Sequence, residues 1–96
     1  MEVTEALPLE EILAHLAEEA SELAQAALKL RRALGRTGNP TPKSAAEAFD
    51  ELCEEIADVR LCVELIPGVD GMKIAQAMCY KLGRWESRLE RKQETP

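Results

Sequence analysis

Leu9, Leu13, Leu16, Ala20, Leu23, Ala27, Leu30 and Leu34 recur in steps that alternate between four and three residues. That spacing lays one apolar stripe along a single long helix. Pro8 suits its first turn and Gly35 its left-handed end, with Arg31 and Arg32 set against the negative helix terminus. Arg36 to Lys43, with Gly38, Asn39, Pro40 and Pro42, reads as a loop. Ser44 and Glu47 form a capping box that opens a second helix, whose stripe is Phe49, Leu52, Ile56, Val59, Val63 and Ile66. Pro67-Gly68 stops it, and Asp70 caps a third helix with the stripe Ala75, Met78, Leu82, Trp85 and Leu89. The expected fold is all-α: two long antiparallel helices and a third, in one domain over 1–96, with 1–8 and 92–96 frayed.

A chain of 96 residues has no room for two independent cores and buries only a modest share of its surface. Long apolar stripes on so short a chain gain by pairing with a second copy, so a homo-oligomer is expected. Twelve Lys and Arg against eighteen Asp and Glu leave a net charge of −6, without the basic footprint of a DNA or RNA reader. A small anionic ligand stays possible, because bound divalent cations reverse the local field. Cys53, Cys62 and Cys79 are odd in number and lack C-x-x-C spacing, which fits neither a disulfide framework nor a thiolate zinc site. They read as reduced residues in or near the core. With no signal-like start and no apolar run of ~20 residues, the expected protein is soluble, cytoplasmic and free of the membrane.

The first two helices repeat each other. Residues 16–23 read L-A-E-E-A-S-E-L and residues 52–59 read L-C-E-E-I-A-D-V, an offset of 36 residues that also matches Leu13 with Phe49. At ~100° per residue, Glu19 lies about 60° and Glu22 about 120° from the Leu16 stripe, on one side. Glu55 and Asp58 lie at the same angles from Leu52, while Glu18 and Glu54 point toward water. Each helix thus carries an i, i+3 acid pair along the edge of its buried face, with Cβ atoms roughly 5–6 Å apart. Acids bordering an apolar seam lose hydration and repel one another, a cost that cations relieve. Four such carboxylates suit a hard octahedral ion, Mg²⁺ or Mn²⁺. One copy of E-x-x-E is what chance produces in a Glu-rich helix; two copies at matched phase are harder to assign to chance.

Glu18-Glu19-Ala20-Ser21-Glu22 followed by Glu55-Ile56-Ala57-Asp58 resembles the E-E-x-x-E … E-x-x-D signature of MazG-like pyrophosphohydrolases, among the all-α nucleoside triphosphate pyrophosphatases. Lys81 to Leu89, K-L-G-R-W-E-S-R-L, is similar to the basic third helix of the short, phage-type members. The resemblance implies that Glu19, Glu22, Glu55 and Asp58 hold Mg²⁺. It also implies that nucleoside triphosphates are cleaved between the α and β phosphates, and that two subunits of a dimer or tetramer build a four-helix core. Of the carboxylates, Glu22 is the preferred proton acceptor, with Glu19 beside it. Relatives carry an asparagine one turn after the lysine, where this chain has Trp85.

Lys81 and Arg88 share one flank of the third helix and are candidates for β- and γ-phosphate oxygens, with the helix dipole as their duller explanation. His15, one turn before Glu19, is a candidate for the nucleobase, and Trp85 a candidate for base stacking as well as for core or interface. Two other classes compete. A ferritin-like carboxylate oxidase needs E-x-x-H, and neither acid block has a histidine at that spacing. A non-catalytic helical homo-oligomeric interaction module needs only the stripes, and leaves the matched acids unexplained.

Overall fold

The computed structural model describes residues 2–35 and 43–94, and the expected loop over 36–42 lies outside them. Four helices follow one another: α1 (Val3–Ala6), α2 (Leu9–Ala33), α3 (Ala45–Leu65) and α4 (Gly71–Glu94), with no strand among the described residues. The helix ends obey local chemistry. Gly35 takes φ +70° just after α2, and Gly68 takes φ +82° after α3, the left-handed conformation that glycine adopts without steric cost. The Glu47 amide donates to Ser44 Oγ at 3.1 Å, and the Ser44 hydroxyl in turn donates to Glu47 Oε1 at 3.2 Å. Asp70 Oδ1 accepts from the amides of Met72 at 2.9 Å and Lys73 at 3.3 Å, capping α4. Replacing Ser44 by alanine leaves an orphan amide at the start of α3 and is expected to cost about 1 kcal/mol in chemical denaturation. An unchanged midpoint would remove the cap from the account.

Helices α2 and α3 form an antiparallel hairpin, and nearly all tertiary packing lies between them. Its seam is not the stripe the sequence suggests. On α2 it runs through Ile12, Leu16, Glu19, Leu23, Ala26 and Leu30, and on α3 and its cap through Ala48, Leu52, Glu55, Val59, Cys62 and Ile66, with Lys29, Ala33, Glu51 and Val63 among the residues covered beside it. Each α3 position is its α2 counterpart advanced by 36 residues, so the repeat extends from sequence into packing. Leu13 and Phe49, assigned to the buried stripes, face outward, as do Ala20 and Ile56. The helices are rotated so that small Ala26 and Ala48 are buried in the seam. Of the three cysteines only Cys62 is in the core; Cys53 and Cys79 are exposed.

The chain is far from spherical. Its radius of gyration is 17.6 Å, where a compact chain of this length gives about 13 Å, and it extends 56 × 37 × 19 Å. The excess comes from α4, which stands clear of the hairpin with every described side chain exposed. Met78 is 66% and Trp85 65% accessible, and Leu82 and Leu89 are open too. Both chain ends are more helical than the sequence suggests, since α1 occupies part of 1–8 and α4 runs on to Glu94. No described helix is long and apolar enough to cross a membrane.

Candidate metal centre

Seam position 19 on α2 and its repeat mate 55 on α3 hold glutamates where the pattern otherwise holds apolar residues. The hairpin therefore drives acids from both helices into one place. One carboxylate oxygen each from Glu19, Glu55 and Asp58 lie within 4.8 Å of one another. Glu22 adjoins this group closely enough for its charge to raise both Glu19 and Glu55. The sequence placed all four acids along the seam's edge. In the structure Glu19 and Glu55 are inside it, with Glu22 and Asp58 at the exposed margin.

The electrostatics are those of like charges forced together. The Glu19 carboxyl is pushed above its ordinary range, first by burial and then by the charges of Glu22 and Asp58, with His15 pulling the other way. Glu55 is raised by burial, then by Glu22 and Asp58. The Glu19 side chain is only 14% accessible, and Glu19 Oε2 and Glu55 Oε2 are buried without any hydrogen-bond donor. A buried carboxylate oxygen with no donor is costly, and it is the coordination site a cation would fill.

Two hollows flank the acids. On one side a cavity of about 200 Å³ has Glu19 and Asp58 in its wall and is otherwise mostly apolar, with Ile12 of α2, Leu61 and Leu65 of α3, Val3 of α1 and Leu7 just after it. His15 stands at this end, Nε2 3.7 Å from Glu19 Oε1 and Nδ1 3.8 Å from Glu18 Oε2. On the other side a polar groove of about 410 Å³ is lined by Glu22 and Glu55 together with Lys29, Lys43, Glu51 and Glu54. Lys43 is bonded to Glu51 and holds that carboxyl below its usual range, by the hydrogen bond first and by charge as well.

Of the residues the sequence nominated, Glu19, Glu22, Glu55, Asp58 and His15 come together. Lys81, Trp85 and Arg88 do not join them; they line a shallow groove on α4 itself, beside Arg84, whose guanidinium lies 5.7 Å from the Tyr80 ring centroid. The cations that do border the acids are Lys29 and Lys43. Lys29 was readable, one heptad beyond Glu22 on the same flank, but that position alone equally describes a solvated face. Leu7 and Val3 carried no signal, because a four-residue turn is too short to show periodicity. No family model matches the chain, no curated protein matches it, and no solved structure matches it.

Proposed function

We propose that this protein is a Mg²⁺-dependent nucleoside triphosphate pyrophosphohydrolase, cleaving between the α and β phosphates to a nucleoside monophosphate and pyrophosphate. One observation carries the reading: carboxylates from both halves of a repeat converge at a buried seam, with two oxygens left undonated. The resemblance of Glu18 to Glu22 and Glu55 to Asp58 to the MazG-like signature supports it. The donor set is all oxygen, which suits Mg²⁺, with Mn²⁺ as a substitute. A divalent cation there supplies neutralisation of phosphate charge and a lowered pKa for water. Glu19, Glu55 and Asp58 are the holders, and Glu22, exposed beside them, is the carboxylate free to accept a proton from the attacking water. Lys29 supplies positive charge at the groove, with Lys43 available once it leaves Glu51. The test is product analysis. Nucleoside monophosphate and pyrophosphate are expected from a triphosphate with Mg²⁺, and nucleoside diphosphate with phosphate, or no turnover, would sink the reading.

The exposed face of α4 favours a second element of the proposal, a homodimer or homotetramer. Charge is divided unevenly: α4 carries six basic and three acidic residues, +3, which leaves −9 on the rest of the chain. A second copy can cover the apolar stripe of α4 and bring Lys81 and Arg88 toward acidic partners. Trp85, the single tryptophan, reports on this directly. Its emission is expected to be blue-shifted at micromolar concentration, and to shift red on dilution or in Leu82→Glu. A monomer by sedimentation at those concentrations contradicts the assembly. Should the oligomer form without any triphosphate cleavage, the non-catalytic interaction module becomes the better description. The cysteines are free and the reading places the protein in a reducing cytoplasm.

A further inference from the structure

We infer that the apolar cavity between α1 and the α2–α3 seam is the seat of a nucleobase, with Val3 of α1 and Leu7, its cap, as the roof. The identity of the ligand rests on the triphosphate cleavage proposed above. The placement itself rests on three features that lie in sequence along the hairpin. First comes the apolar cavity, then the acid centre, then the groove that holds Lys29 and Lys43. A nucleoside triphosphate has the same polarity from end to end: a flat, largely apolar ring system, then phosphates that need cations.

Continuity makes the cavity part of the same site. Glu19 and Asp58 belong both to the acid cluster and to the cavity wall, so a ligand seated there begins where the carboxylates end. Size limits what it accepts. At about 200 Å³ it is smaller than the ~300–1,000 Å³ pockets that enclose a whole drug-sized ligand, and it fits one part of a nucleotide. Its lining selects which part. Leu7, Leu61 and Leu65 offer contact surface and no hydrogen bonds, a poor match for phosphates or a ribose and a good one for ring faces. The exposed His15 is the one ring nitrogen donor or acceptor at this end. The α1 turn thereby gains a purpose that helix packing does not give it, for it makes little contact with the rest of the chain.

Leu7→Trp fills the cavity from its roof and leaves the seam untouched. With Mg²⁺ present, the KM for nucleoside triphosphates is expected to rise at least about tenfold, while tripolyphosphate, which has no base, inhibits as before. An unchanged KM overturns the inference, and so does a parallel loss of tripolyphosphate inhibition, which would mean that the substitution acts on the acid centre. A second measurement needs no turnover. In methyl NMR of the unsubstituted chain, nucleoside monophosphates are expected to shift the resonances of Leu7, Leu61 and Leu65, and phosphate alone to leave them in place. Methyl shifts without any pyrophosphate release would refute the cleavage reading and keep the base site. Pyrophosphate release with silent methyls would do the reverse.

Discussion

Glu19→Gln is expected to abolish Mg²⁺-dependent pyrophosphate release, by at least about a hundredfold, and at the same time to stabilise the metal-free protein. The two effects have one cause. Glu19 sits in a packed seam with an undonated buried oxygen and two acidic neighbours, so its charge is costly without a cation and needed with one. The amide keeps the shape and removes the charge. Steady-state pyrophosphate release and thermal melts in a chelator measure the two halves separately. A variant that turns over normally removes Glu19 from the centre; one that is inactive and also less stable in chelator points to a packing role instead. Asp58→Asn is expected to lose activity as well, with a smaller gain in stability because Asp58 is exposed.

The second large effect is the response of stability to cations and to pH. At a free Mg²⁺ or Mn²⁺ concentration a hundred times the dissociation constant, binding to the folded state adds about 2.7 kcal/mol. For a chain this size that corresponds to roughly 10–20 °C in melting temperature. The pH dependence of the metal-free protein follows from the raised carboxyls of Glu19 and Glu55. A carboxyl raised by folding binds its proton more tightly in the folded state, so its contribution is complete below the ordinary 4.5 and is lost as pH climbs through the raised value. Melting temperature in chelator is therefore expected to rise as pH falls from neutral toward that range. Glu51 works in the opposite sense, since its lowered carboxyl loses its contribution only as pH falls below 4.5. Saturating Mg²⁺ should flatten the acid-side gain by competing with protons for the same oxygens. A melting temperature indifferent to both Mg²⁺ and chelator would leave the acids as a crowded seam with no cation role.

Much of this was legible in the residues because duplication is a pattern that needs no partner to be seen. The 36-residue offset links Glu19 with Glu55, and the capping groups Ser44 and Asp70 and the stops at Gly35 and Gly68 mark the helix ends closely. Phase was harder. Helix α2 offers two overlapping apolar stripes, one through Leu13, Ala20 and Ala27 and one through Ile12, Glu19 and Ala26, sharing Leu16, Leu23 and Leu30. The first has no charge and reads as core; the second is the seam, and Glu19 within it is what hides that phase from a reading of apolar spacing. Lys81, Arg88 and Trp85 are placed by α4, which stands clear of the hairpin, and no spacing within α4 could show that.

The two hollows beside the acids are images of each other. Advancing by 36 residues carries His15 to Glu51, Gln25 to Leu61, Ala26 to Cys62 and Lys29 to Leu65, which exchanges the polar groove for the apolar cavity. The linings of the two hollows thus follow the repeat about the carboxylates, and the acids on their own would give a ligand no preferred heading. Direction comes only from the places where the halves have diverged, above all Lys29 against Leu65. Exchanging those two side chains would ask whether a hairpin of this kind can be made to hold its ligand the other way round.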